Sequence, residues 1–330
     1  MGPKDLKKAA KRFYRSKQPF MVMSPPGVGK SSIIRQAADE LGIQFRDVRL
    51  NMFDPVDLRG IPMPDLKTGK TRWMTPDFFP TEGSGIVLFD EITAATTAVQ
   101  AAAYQITLDR KLGEYELPPG WSVMAAGNSQ SDRAVSYKMP SALVSRLNMQ
   151  TLEVSQKDFE EYGANTGRII PEIVAFLRFK PGMLMNFDPA KWKDNTPFAC
   201  PRTWEFLSHD MKENNNETSL QIVNGFVGPH AAPEFYGFLK VYQELPSMDE
   251  ILAKPMTAKV PTDPAPLYAI ATALARHVTP KNADNVFQYL SRMPNEFEMC
   301  SVKDMAVRNL DMTNCKAFNQ WLIKHGHLFA

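Results

Sequence analysis

Ser24-Pro25-Pro26-Gly27-Val28-Gly29-Lys30-Ser31 is the stretch on which the reading of this chain turns. The apolar run Phe20-Met21-Val22-Met23 precedes it, and Ser32-Ile33-Ile34-Arg35-Gln36-Ala37-Ala38 follows as the first turns of a helix. Strand, tight loop and helix N-terminus together are the setting that a phosphate-binding loop requires. Gly27 and Gly29 let the backbone curl so that successive N–H groups face phosphate oxygens, which makes Pro26, Gly27, Val28, Gly29, Lys30, Ser31 and Ser32 the candidate nucleotide cradle. Lys30 is placed to reach the β and γ phosphates, and Ser31 to put its hydroxyl on Mg²⁺. Ser24 occupies the position where the usual pattern has glycine, and serine is expected to make the same turn at modest conformational cost.

Further along, Ile86-Val87-Leu88-Phe89-Asp90-Glu91 has four consecutive apolar residues, as a strand buried on both faces does, with two acids at its C-terminal end. Ligands of open α/β sheets bind at that edge. Asp90 suits the Mg²⁺, and Glu91 suits the orientation and deprotonation of a water attacking the γ-phosphate. Trp121 to Asn128 reads as a further buried strand ending in a polar amide, which beside two carboxylates is well placed to hold that water.

Composition sets few other limits. The 330 residues, 44% apolar and 22% charged with net charge +2, suit a globular chain of about two domains and give no global push toward nucleic acid. Cys200, Cys300 and Cys315 lack metal-like spacing and are odd in number, so neither a disulfide framework nor a zinc site is expected. His325 and His327 lie close together without a carboxylate or thiol cluster. No membrane span is expected, since no apolar run reaches the ~18 residues required. The cationic N-terminus lacks an apolar segment of the kind a secretory leader carries, and the expected compartment is the cytoplasm.

Residues 1–17 read as a basic amphipathic helix, with Leu6, Ala9, Ala10, Phe13 and Tyr14 on one face and cations on the other. A helix to Leu41 stops at Gly42, and a strand follows near Gln44 to Leu50. Insertions are expected near 53–82, with a hairpin turn at Lys67-Thr68-Gly69-Lys70, and near 109–120, with a second hairpin from Arg110 to Glu116. Thr93 to Leu108 reads as an alanine-rich helix, Ser141 to Leu147 as a short helix, and Met149 to Val154 as a fifth strand. Beyond Ser155 the pattern is helical: Pro171 to Phe179, Pro201 to Met211, Leu220 to Val227, Pro233 to Leu245, Pro266 to Val278, Asn282 to Arg292 and Cys315 to His325.

This set of segments resembles the AAA+ ATPases, and within them the MoxR-like and dynein-related branch. The phosphate loop, the Walker B strand Ile86 to Glu91, Asn128 as sensor 1, Arg146 in Ser141-Ala142-Leu143-Val144-Ser145-Arg146-Leu147 as arginine finger, and Arg202 in Cys200-Pro201-Arg202-Thr203-Trp204 as sensor 2 carry the likeness. Asp54 to Gly60 and the two hairpin regions resemble that branch's insertions. Arg133 is a reserve candidate for a contact with a neighbouring subunit. The resemblance spans about residues 18–210 and implies an α/β P-loop core with a five-stranded parallel sheet over 18–160. It further implies a helical lid over 161–245, followed by a helical region over 246–330 that inherits no function. Bound ATP and Mg²⁺, a hexameric ring or spiral with Arg146 acting in trans, and a partner bearing a von Willebrand factor A or metallopeptidase-like domain are also implied.

Three functions remain open at this point. A chaperone-type remodelling ATPase acting on a protein is the first. A nucleic-acid motor or loader is the second, drawing on Lys67, Lys70, Arg72, Arg110 and Lys111 in the hairpins. A nucleotide-gated scaffold is the third, and Glu91 argues against it because a pure binder needs no water-activating acid.

Overall fold

A computed structural model describes residues 1–128, 137, 139, 141–190, 192, 195–308 and 315–325. Contacts divide the chain into two compact units, Met1–Ser155 with Asp188–Trp192, and Gln156–Phe187 with Lys193–Ala330.

In the first unit the elements run α1 (Pro3–Ser16), β1 (Phe20–Met23), α2 (Lys30–Leu41), β2 (Gln44–Arg49), α3 (Pro55–Arg59), β3 (Ile61–Asp65), β4 (Lys70–Met74), β5 (Gly85–Asp90), α4 (Thr97–Asp109), β6 (Lys111–Leu112), β7 (Tyr115–Glu116), β8 (Trp121–Gly127), α5 (Ser141–Val144) and β9 (Asn148–Thr151). Five strands form one parallel sheet in the order β2-β5-β8-β1-β9. β8 is buried throughout and β5 up to Asp90, as their predominantly apolar sequences require of strands covered on both faces. The core is built on Met21, Val87, Phe89, Trp121 and Val123, with Val99, Ala103 and Ile106 of α4 packed against them. β3–β4 and β6–β7 are separate two-stranded hairpins outside this sheet.

Several boundaries depart from expectation, three of them near the sheet's functional edge or its β9 end. The alanine-rich helix starts at Thr97 rather than Thr93, because Thr96 caps it by accepting from Val99 N and the preceding Ile92–Ala94 closes a 3-10 turn. The short helix ends at Val144, which leaves Arg146 beyond it. β9 begins at Asn148, where its N–H bonds Pro19 O at 3.1 Å and joins the sheet.

The second unit contains α6 (Gln156–Thr166), α7 (Pro171–Phe179), α8 (Pro201–Glu213), α9 (Leu220–Gln243), α10 (Met248–Ala253), α11 (Pro264–His277), α12 (Ala283–Leu290), α13 (Asn295–Arg308) and α14 (Lys316–His325), with no strand among its described residues. Phe176 centres an aromatic cluster with Trp204 and Phe235, ring centroids 5.6 and 5.2 Å away. Arg178 of α7 ties this region to α13: its guanidinium meets Glu160 at 2.7 Å and Asp304 at 2.6 Å, and also touches Cys300 Sγ. Burial opposes the charge on Arg178, and the two carboxylates more than offset it. Burial also pushes the Cys300 thiol up to about 11, so it stays protonated and unreactive.

The expected break between Leu220–Val227 and Pro233–Leu245 falls at Gly228, whose φ of 79° and ψ of 171° are not helical, so that α9 is two helices meeting at a kink. A Cβ there would sit 2.0 Å from Pro197 O. Gly228→Ala is therefore expected to destabilise this unit by about 3 kcal/mol or more in chemical denaturation; a loss under ~1 kcal/mol would mean the bend is not held as seen. Helix α13 has weak amphipathic patterning because it buries polar groups with partners. Trp321 Nε1 donates to Glu298 at 2.6 Å, and Ser301 Oγ donates to Ala271 O at 2.9 Å.

Candidate nucleotide site

The phosphate loop leaves β1 at the C-terminal edge of the sheet, where β1 lies between β8 and β9. Its form is local in origin. Gly29 has φ 99°, a conformation closed to other residues without strain, and it turns the chain into α2. No side chain caps α2 and its first turn holds no acid. The first intrahelical bond is Ile33 N to Gly29 O, so the N–H groups of Lys30, Ser31 and Ser32 have no acceptor within the helix. Positive dipole and helix-end amides together suit an anion. Gly27 and Val28 are buried in the loop, while Ser32 is exposed.

Ser24 is a participant rather than a tolerated variant. It is 2% exposed and its backbone is outside the left-handed region, so the serine bears no strain there. Its Oγ and its carbonyl each accept from Lys30 Nζ at 3.1 Å. Lys30 also donates to Asn128 Oδ1 at 2.6 Å, which joins loop and β8. Ser31 Oγ donates to Asp90 Oδ2, joining α2 to the end of β5. Glu91 has φ 54° and accepts from Asn51 Nδ2 through Oε2 at 3.0 Å. The backbone N of Asn128 donates to Thr93 Oγ1 at 3.0 Å.

Lys30, Ser31, Asp90, Glu91 and Asn128 thus come together on one edge of the sheet. Asn51 and Thr93 belong to this group and carry no sequence signal. Asn51 lies in a breaker-rich stretch, and Thr93 in an alanine-rich one whose helical reading hides the turn. Arg146 is exposed at the other edge: Asn148 pairs with Phe20, the first residue of β1, whereas the loop follows Met23, the last. Four residues at about 3.3 Å each separate those edges. Arg202 is exposed at the second position of α8, in the other compact unit, on a helix started by Pro201 and by Thr203 Oγ1 accepting from Cys200 N at 2.9 Å. Arg133 lies outside the described residues.

Residues 20–149 match the family described as ATPases associated with various cellular activities (AAA). The match lies within the first compact unit and takes in the phosphate loop, β5 and β8. Among solved structures, a candidate ATPase from Cytophaga hutchinsonii is 15% identical with TM-score 0.36, covering 89% of this chain and 78% of that one. NtrX from Brucella abortus is 13% identical, TM-score 0.42, covering 92% and 67%. A RuvB mutant from Thermotoga maritima is 15% identical, TM-score 0.43, covering 82% and 80%. Similarity of this degree says nothing of activity.

The residues of this segment fit a hydrated divalent cation. Ser31 and Asp90 offer two adjacent hard oxygen donors of the sort Mg²⁺ prefers. Burial first, and the Asp90 carboxylate second, raise the pKa of Asp47 on the neighbouring strand above its ordinary value. Asp47 Oδ1 is buried without a hydrogen-bond partner. Among the described residues no helix is long and apolar enough to cross a membrane.

Proposed function

We propose that this chain is a Mg²⁺-dependent ATPase that remodels a protein partner as a homo-oligomeric ring or spiral. The observation carrying the reading is the meeting of loop, β5 and β8 through the Lys30–Asn128 and Ser31–Asp90 hydrogen bonds. Loop and α2 amides bind the phosphates, and Lys30 neutralises their charge. Ser31 and Asp90 would hold Mg²⁺, which when bound supplies further neutralisation of the β- and γ-phosphate oxygens. Glu91 takes the proton of the attacking water while Asn128 orients it, and ADP and phosphate leave. ATP turnover measured with and without Mg²⁺ tests this; no turnover would sink it.

Arg146 serves the site of a neighbouring copy in this reading, since its own loop lies across the sheet. Arg146→Ala is expected to lower turnover by about 10³-fold while nucleotide affinity stays within a few-fold. Mixing Arg146→Ala with Glu91→Gln subunits should restore part of the activity, because some seams then pair an intact base with an intact finger. Mixed assemblies with no turnover would count against a shared site.

A protein rather than a nucleic acid is favoured as partner by the β3–β4 hairpin. Ile61, Met63, Leu66 and Met74 are 63%, 47%, 93% and 59% exposed on it. An exposed apolar patch marks an interaction site, and these side chains offer a phosphate backbone nothing. Lys67, Lys70 and Arg72 are exposed on the same hairpin and keep the nucleic-acid reading as the second one. Turnover that rises with added DNA or RNA and falls steeply with salt would replace the first reading with it.

A further inference from the structure

Asn128 stands one residue past the end of β8, where the ladder with β1 stops at the Met23–Gly127 pair. Its N–H has left the strand ladder, and Thr93 provides the acceptor at 3.0 Å. Thr93 is 3% exposed and lies two residues after Glu91, in the 3-10 turn Ile92–Ala94. Strand end and turn touch closely: a Cβ on Gly127 would lie 2.7 Å from Thr93 Cγ2. The turn is closed on Glu91 itself, since Ala94 N donates to Glu91 O at 2.9 Å. Tyr137 N donates to Thr93 O at 2.6 Å, so the threonine is held from a third side.

We propose that Thr93 is a positioning residue for ATP hydrolysis, its hydroxyl fixing the distance between the acid at 91 and the amide at 128. This rests on the ATPase reading above. A water that must satisfy both groups at once tolerates little change in their separation, since misplacement by about 1 Å can cost ~10²-fold in rate. Binding of the phosphates draws on the loop and Lys30, whereas the Thr93 hydroxyl bonds the backbone N–H of Asn128. The hydroxyl therefore affects the chemical step and spares affinity.

The test is steady-state turnover and nucleotide affinity for Thr93→Val, which keeps the shape and loses the acceptor, and for Thr93→Ser, which keeps the acceptor. Thr93→Val is expected to lower kcat about tenfold with Kd for ATP within about twofold, and Thr93→Ser to retain most of kcat. In an Asn128→Ala background, Thr93→Val should change kcat by less than about twofold, because no amide is left to position. A full-activity Thr93→Val protein, a Thr93→Ser protein as impaired as Thr93→Val, or losses that multiply in the double variant would overturn the assignment. Should Thr93→Val not fold, Thr93→Ala against Thr93→Ser decides in the same way: equal kcat values overturn it. Failure of the ATPase reading is distinguishable, since it appears as no turnover in the unaltered protein and takes this proposal with it.

Discussion

Lys30→Ala is expected to weaken ATP binding by about 100-fold or more, which corresponds to ~3 kcal/mol. The ammonium is held among oxygen acceptors, Ser24 O, Ser24 Oγ, Pro25 O and Asn128 Oδ1, so its charge is aimed into the loop before any phosphate arrives. Alanine leaves the loop backbone and the α2 amides in place but removes the only side-chain cation of the phosphate loop itself. The acceptors it abandons, two of them on the buried Ser24, lose a part-buried donor, so a modest loss of stability is expected beside the loss of binding. Titration with a fluorescent ATP analogue and a thermal melt separate the two effects. Affinity within about threefold of the parent protein would mean that the loop does not bind phosphate through Lys30.

Glu91→Gln is expected to keep ATP bound and to lower turnover by ~10²–10³-fold, the usual range for loss of a general base. The exchange is nearly isosteric. The carbonyl oxygen of the introduced amide can still accept from Asn51 Nδ2, the partner of Glu91 Oε2 at 3.0 Å. The left-handed backbone at this residue, φ 54°, is no harder for glutamine than for glutamate. What disappears is the ability to take a proton. Single-turnover hydrolysis of radiolabelled ATP measures the chemical step directly, and parent-like hydrolysis would remove Glu91 from its assigned role. Protein that co-purifies with the ATP-locked variant would identify the partner class.

Much of the fold is legible along the chain where one physical requirement dominates. β1 occupies Phe20–Met23 as expected, since four apolar residues before a glycine-rich loop have few alternatives. α2 ends at Leu41 because Gly42 adopts φ 66° and its N–H bonds Ala38 and Asp39 carbonyls. The hairpin at residues 61–74 follows from its turn, where Gly69 N donates to Asp65 O at 2.8 Å. Legibility fails where partners are remote. α13 shows no clear periodicity, and its alignment with α6 rests on Arg178 reaching Glu160 on one and Asp304 on the other. Asn51 and Thr93 look like ordinary loop and helix residues until the sheet brings Glu91 and Asn128 to them.

Read along the chain alone, the residues specify the chemistry of the loop and the identity of each strand-terminal side chain, because backbone curl, helix-end amides and buried-strand patterning all act over a few neighbouring residues. Which strand ends become neighbours is settled by the folded sheet. The order β2-β5-β8-β1-β9 sets β8 between the strand that ends in Asp90 and the strand that feeds the loop. That arrangement lets Asn128 meet both Lys30 and Thr93, and the register of β9 puts Arg146 on the far edge. Strand order and register depend on burying both faces of the sheet at once, a requirement of the whole chain that no single segment contains.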